Sequence, residues 1–418
     1  FLESTETYID SIDIVFDRDG YHNDTIYNKP VTLEKQYFDE GLIIDYFTNE
    51  LETKVKEVGV NHYIDNNDNT WEVTIWNTHA MNTLLGLMYL TQGDLTKATN
   101  YFEKIVYLPS DNYRYQLDKS FSLKSWRNIF ANIDIREHIY TLWFNKSNQQ
   151  QHNLQRIFEP RQPNQYMLKP TRKAIMNWET IWAGNVPGDY NRGYGVSYVY
   201  LRDGLAIPIE DIQKMLYLKS QDDFRSADLI TADADTVVWK YSWNKNVFDQ
   251  DANFILYRAS GVHLWLAEAY IYRVYQRNET VSTFTSNTLN IVNNGSNYST
   301  ALNRPQLGVR GRVGFPAIVV GNINVVRDPF TNKIIGEIDL TGNFLGVQEL
   351  LEGYILDEKA RELAFEGERF YELMRAAKRR NDPSFLANIV SQKYPQGKRA
   401  EIYNLLLDEK NWYIKYFD

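Results

Sequence analysis

The segment Asp357–Arg375, DEKARELAFEGERFYELMR, narrows the fold more than any other part of the chain. It reads as two helices meeting at Gly367. Leu351, Ile355, Leu356 and Leu363 keep helical spacing before the glycine, and Phe370, Leu373 and Met374 keep it afterwards. The positions between them are almost all charged. Glu358, Glu362 and Glu366 stand one turn apart, so three carboxylates share one face, with Arg361, Arg369 and Arg375 in range to neutralise them. Such a cluster is either an acid–base site or an ion-pair and capping network. No histidine accompanies it on the same helices, which favours the network.

A second strong pattern lies in Asn77–Val106. Leu85-Gly86, Tyr89, Gly93-Asp94, Ala98 and Phe102 fall at the spacing of the tetratricopeptide motif. Gly86 and Ala98 are small enough for two antiparallel helices to approach, and Gly93-Asp94 makes the turn. Tyr89 and Phe102 then fill the space toward a neighbouring pair, which a unit of this kind needs in order to bury its face. A weaker copy spans Phe254–Arg273, with Leu266-Ala267 and Tyr270 at the matching positions and Leu264 and Ala269 beside them. The irregular intervals predict a mostly α chain: a tetratricopeptide-like scaffold over 32–107, 254–273 and 347–380, carrying long irregular insertions at 108–250 and 274–346. The expectation is one body over 1–418. Short strand-like runs are expected at Asp13–Gly20, Ile139–Phe144, Ala317–Val320 and Ile334–Ile338. Further helices are expected around Ser125–Asn132 and at Ala400–Leu407.

Several function classes are disfavoured. Net charge is -9 and the one basic run is Lys378-Arg379-Arg380, so no nucleic-acid partner is expected. There is no cysteine, hence no thiolate nucleophile or Cys-based metal site. No two of the histidines at 22, 62, 79, 138, 152 and 263 stand four apart, and neither a Gly-x-Ser-x-Gly nor a Walker loop occurs. The oxygen-rich Asp65–Asn69 resembles half an EF-hand, but Thr70 replaces the glycine and Trp76 the closing glutamate, so it is read as a loop. No catalytic residue, metal or cofactor is assigned.

What remains is a binding constellation inside the first insertion. Trp178, Trp182, Tyr190, Tyr194, Tyr198, Trp239 and Trp243 accompany Asn185, Asp189, Asn191 and Arg192 in Gly-rich, irregular sequence. Aromatic faces exclude water from one side of a sugar ring, while amides, a carboxylate and a guanidinium exchange hydrogen bonds with its hydroxyls. Trp178 and Trp182, four residues apart, also fit the buried face of a helix.

The 362–375 segment, with Glu362, Leu363, Phe365, Glu366, Gly367, Arg369, Phe370, Leu373 and Arg375, resembles the C-terminal signature of the SusD/RagB family. Arg258, Val262, Leu264, Ala267, Glu268 and Ala269 are similar to that family's Arg-x-x-Glu-Val-Tyr-Leu-x-x-Ala-Glu-Ala, with Gly261 in place of its glutamate. Leu302-Asn303, Arg310, Arg312 and Gly314 resemble a further block at a longer internal spacing, and Glu372 stands where aspartate is commoner. The resemblance implies a SusD-like α/α superhelix in which the 362–375 segment marks the fold, not the site. It implies a nutrient-binding lipoprotein of Bacteroidetes-type bacteria on the outward face of the outer membrane. Its partners would be an oligosaccharide or other nutrient and a SusC-like TonB-dependent transporter. Attachment would be through an N-terminal lipid anchor absent from this chain, which on this reading is N-terminally incomplete, and no catalysis would follow capture. The rival readings are a helical glycoside hydrolase, with Glu179 or Asp189 facing Asp233 or Asp235, and a peptide-binding tetratricopeptide scaffold.

Overall fold

The computed structural model of the 418-residue chain describes residues 7–9, 15–17, 20–22, 30–32, 40–58, 71–107, 115, 117, 129–130, 137–158, 167–171, 173–174, 182–183, 186–187, 198–202, 205–206, 235–238, 240–241, 251–277, 288, 291–292, 309, 320, 323–327 and 334–413. Among these the architecture is mostly α-helical, with short strands in two-stranded ribbons and one three-stranded sheet. The chain forms two compact units, 1–54 and 55–418.

In the first unit β1 (Thr7–Ile9) pairs antiparallel with β4 (Pro30–Thr32), and β2 (Val15–Asp17) with β3 (Gly20–His22), Asp17 opposite Gly20. Helix α1 (Glu40–Val58) begins in this unit. Of the scaffold segment expected from residue 32, Thr32 lies in the β1–β4 ladder and Glu40–Val58 is helical.

The second unit opens with α2 (Trp71–Thr74), α3 (Thr78–Gln92) and α4 (Leu95–Val106). Asn77 caps α3 by accepting from the His79 and Ala80 amides at 2.9 and 3.0 Å. Gly93 ends it at φ +84°, and Asp94 caps α4 through the Lys97 amide at 3.0 Å. A Cβ on Gly86 would lie 2.4 Å from the Phe102 ring, so the glycine sets how closely α3 and α4 approach. Phe102 stacks on Trp265 at 6.2 Å, reaching the next layer as the motif predicts. Tyr89 stacks on Tyr101 within the pair.

Next come β5 (His138–Leu142) and α5 (Leu154–Ile157). Two short elements, β6 (Trp182–Ala183) and β7 (Val186–Pro187), pair with each other. Strands β8 (Tyr198–Arg202), β9 (Leu205–Ala206) and β10 (Asp235–Val238) form the three-stranded sheet in the order β10-β8-β9. Strand β11 (Phe254–Arg258) pairs with β5 and runs straight into α6 (Ala259–Arg277). The helical reading of 254–258 is thus corrected: this apolar, aromatic run completes a ribbon with His138–Leu142, and register pairing outweighs the helical spacing seen in sequence. The ribbon is irregular around Tyr257, which changes the facing of Tyr257 and Arg258.

Strands β12 (Ile323–Arg327) and β13 (Ile334–Asp339) form another ribbon, the first of them unforeseen. Helices α7 (Phe344–Glu362), α8 (Arg369–Arg380), α9 (Pro383–Ser391) and α10 (Arg399–Leu406) follow. Helix α6 packs on α4 and α7, α8 on α7, α9 on α8, and α10 on α9, so each helix buries its predecessor's face. Helix α9 was missed in sequence, although Asp382 accepts from the Ser384 amide at 3.0 Å and Pro383 occupies the first turn. Of the helix expected at Ser125–Asn132, the described residues Ile129 and Phe130 are helical; of Ala317–Val320, the described Val320 is not in a strand.

Candidate functional site

Helices α7 and α8 meet through residues 363–368, with Gly367 at φ +91° as the sequence requires and Phe365 at φ +62°. A phenylalanine in the left-handed region is strained. Two contacts hold it there: its carbonyl accepts from the Tyr241 hydroxyl at 2.7 Å, and its ring meets Phe158 at 6.1 Å.

This turn receives two side chains from the end of β10. The Lys240 ammonium donates to the Ala364 carbonyl at 2.9 Å and the Glu362 carbonyl at 3.3 Å, and it pairs with Glu366. It also lies 4.6 Å from the centre of the Phe130 ring. Behind it, Ile129, Phe130, Phe158, Val238, Tyr241 and Ala252 form an apolar cluster. Burial pushes the Lys240 ammonium down to about 8, against the pull of Glu366.

Arg258 joins both ends of the turn. Its Nε and Nη2 hold the two Glu366 oxygens, each at 2.8 Å, and Nη1 reaches Glu362 at 2.8 Å and Glu137 at 3.4 Å. Nη2 also donates to the Glu362 carbonyl at 2.8 Å, and Nη1 to Ser260. Burial opposes the charge of Arg258, yet Glu366 and Glu362 hold its pKa well above the ordinary arginine range. Burial likewise opposes the Glu366 charge, but Arg258 and Lys240 keep that carboxyl below the usual glutamate range.

The family motif's glutamate before Val262 is here Gly261. A Cβ at Gly261 would lie 3.1 Å from the Trp265 ring, which would have to give by a few tenths of an ångström, and here Arg258 is paired with Glu362, Glu366 and Glu137.

A second charged layer continues through the helices. Glu268 pairs with Lys359, with Arg375 at 3.4 Å and with Arg379 at 2.7 Å, and Glu352 takes Arg379 at 3.0 Å together with Arg380. The Glu268 carboxyl is driven well below the glutamate range, its burial overridden first by Lys359 and then by Arg375. Of the neutralising arginines expected from sequence, Arg361 meets Glu358 at 2.9 Å, whereas Arg375 goes to Glu268 and Arg369 lies 3.9 Å from Glu372. Glu362 and Glu366 take their charge partners from Arg258 and Lys240. Glu362 and Glu366 are buried against cations and held by several hydrogen bonds, which suits a structural network and not proton transfer. The basic run Lys378-Arg379-Arg380 sits in the last turn of α8, with two of its members in these ion pairs.

Of the binding residues expected from sequence, Trp182 lies in β6 opposite Pro187, and Tyr198 lies in β8 opposite Val238. Trp182 is therefore in extended backbone and not on a helical turn. Tyr198 stands in register with the residue that immediately precedes Trp239 in sequence. Trp178, Asn185, Asp189, Tyr190, Asn191, Arg192, Tyr194, Trp239 and Trp243 lie outside the described residues. Sequence reasoning missed Lys240 and Tyr241, which are seated on the 362–366 turn. A lysine inside Val-Val-Trp-Lys-Tyr-Ser-Trp was the available signal, since a charge in an apolar run needs a buried partner. Among the described residues no group of His, Asp and Glu could hold a metal ion, and no helix is long and apolar enough to cross a membrane.

A profile of the SusD family matches residues 40–415. The chain belongs to the SusD family. In this chain the 362–375 segment and the Arg258–Ala269 block meet in one buried ion-pair network. Solved structures similar to this SusD-family chain include a SusD superfamily protein from Bacteroides vulgatus, 15% identical over 85% of this chain and 60% of that one, with a TM-score of 0.48. Another, from Bacteroides thetaiotaomicron, is 16% identical over 87% and 66%, with a TM-score of 0.47. The surface glycan-binding protein A from Bacteroides uniformis is 14% identical over 90% and 63%, with a TM-score of 0.48. The chain spans about 60–66% of the length of these three proteins. No curated protein matches it.

Proposed function

We propose that this SusD-family chain captures oligosaccharide at the cell surface and passes it, unaltered, to a TonB-dependent transporter in the outer membrane. Trp178, Trp182, Tyr190, Tyr194, Tyr198, Trp239 and Trp243 supply the stacking faces. Asn185, Asp189, Asn191 and Arg192 bond the hydroxyls. Family membership supports the class of function. The observation that supports the location is the seating of Lys240 and Tyr241, which stand between Trp239 and Trp243 in sequence, on the 362–366 turn.

Binding without turnover follows from the same division of labour. Glu362 and Glu366 are paired with Arg258 and Lys240 inside the scaffold, and the aromatic stretch holds a ligand by faces and hydrogen bonds alone. A glycan array probed with the chain tests the reading. It predicts retention of at least one oligosaccharide class, intact, with Tyr194→Ala weakening retention. Hydrolysis of the retained glycan, abolished by Asp189→Asn, would replace capture by catalysis.

A further inference from the structure

The β5–β11 ribbon carries a second group of aromatic side chains, remote in sequence from the 178–243 stretch. Tyr140 and Tyr257 are register partners, and Trp76, just after α2, lies over both. The Trp76 ring meets Tyr140 edge-on at 4.8 Å and 88°, and Tyr257 at 6.4 Å and 58°. The three rings thus form a corner and not a parallel stack, and all three are half-buried. No hydrogen bond among the described residues engages the Trp76 indole N–H or the Tyr140 and Tyr257 hydroxyls, so the polar tips of an otherwise packed cluster are left open.

An acid pair adjoins the corner. Glu368 precedes α8 but makes no capping bond to it. Burial pushes its carboxyl up to about 7, followed by the charge of Glu372 and opposed by Arg375 and Lys359. Glu368 is also felt at Tyr257, whose hydroxyl rises to about 12, first through burial. Glu372 is 1% exposed, and neither of its carboxylate oxygens has a hydrogen-bond partner. Its nearest cations, Lys359 and Arg369, stand at 3.7 and 3.9 Å.

We infer that Trp76, Tyr140, Tyr257 and Glu368 form a second ligand site that takes one neutral sugar ring. A sugar ring has an apolar C–H face for the aromatic corner and a rim of hydroxyls for the indole N–H, the two phenols and the acid. An anion would meet a carboxyl pair held in low dielectric. An ammonium would find the pair already balanced by Lys359, Arg369 and Arg375. A purely apolar ligand would leave the polar tips dry and unpaired. The ligand class rests on the proposed function, while the residues are separate from it.

Fluorine NMR of the full chain labelled with 5-fluorotryptophan separates the two sites. The Trp76 and Trp239 signals are assigned by Trp76→Phe and Trp239→Phe, and maltohexaose, cellohexaose, xylohexaose and laminarihexaose are titrated in turn. The Trp76 signal is expected to move with one of these sugars. Tyr257→Phe, which keeps the ring and removes the hydroxyl, should weaken that titration by roughly three- to tenfold. If Trp239 moves and Trp76 does not, the second site is overturned while the proposed function stands. Movement of Trp76 alone supports the second site and removes the first. Silence at Trp76 with all four sugars overturns the second site, the proposed function being tested by the glycan array, and movement of Trp76 unaffected by Tyr257→Phe also overturns the corner.

Discussion

Arg258 shows at the scale of one residue how this chain converts charge into architecture. Its guanidinium holds Glu366 side-on and reaches Glu362, Glu137 and a backbone carbonyl, so the start of α6 and the α7–α8 turn share one buried cation. Removing one partner of such a pair leaves an uncompensated buried charge. Glu366→Ala, which strands both Arg258 and Lys240, is expected to cost about 3–5 kcal/mol in urea denaturation. A loss below about 1 kcal/mol would show that the network is decorative.

Glu368 behaves oppositely. Its carboxyl is raised to about 7 by burial and by Glu372, against Arg375 and Lys359, with Glu366 and Tyr257 also nearby. The folded chain therefore holds this proton more tightly than the unfolded chain does. Its contribution to stability is lost as pH rises from the ordinary glutamate value through about 7. Glu368→Gln should be more stable than the parent by about 1 kcal/mol at pH 8, after allowance for solvent screening, and the gap should close near pH 4. Equal stability at both pH values would contradict this assignment. The glutamates and arginines of 357–375 were legible in sequence as a charge network. Their main partners were not, because Arg258 and Lys240 lie more than a hundred residues away from Glu362 and Glu366 along the chain.

At the scale of elements, the α3–α4 pair was readable because each of its signals is local. Asn77 and Asp94 cap, Gly93 turns, and Gly86 yields its side-chain volume to Phe102. Gly86→Ala would place a methyl against the ring edge and is expected to lower stability by about 1–3 kcal/mol, read as a fall in melting temperature. An unchanged melting temperature would mean that the helices have room to part. Strand β11 was misread because a short apolar run fits either period, and only its pairing with β5, more than a hundred residues earlier, decides. The β10 end was unreadable for the same reason: nothing next to Lys240 in sequence says that its acceptors are the Glu362 and Ala364 carbonyls.

Across the second unit, helices α3 and α4 and then α6 to α10 stack into a layered scaffold whose inter-layer contacts are apolar on one side and ion-paired on another. Lys240 and Tyr241, neighbours in sequence of two of the aromatic residues proposed to bind saccharide, bond to this scaffold. The scaffold was legible as a family pattern and is now resolved into named contacts. The binding stretch was legible only as composition, because stacking faces are recognised by where rings point, which spacing in an irregular segment does not encode. Calorimetric titration of an array-positive oligosaccharide into the parent chain and into Tyr194→Ala tests the central claim most directly. The account predicts saturable binding to the parent, at least tenfold weaker binding to the variant, in keeping with about 1.4 kcal/mol or more for a lost stacking face, and matching melting curves for the two proteins. Equal affinities in the two proteins, or no saccharide bound by the parent, would contradict it.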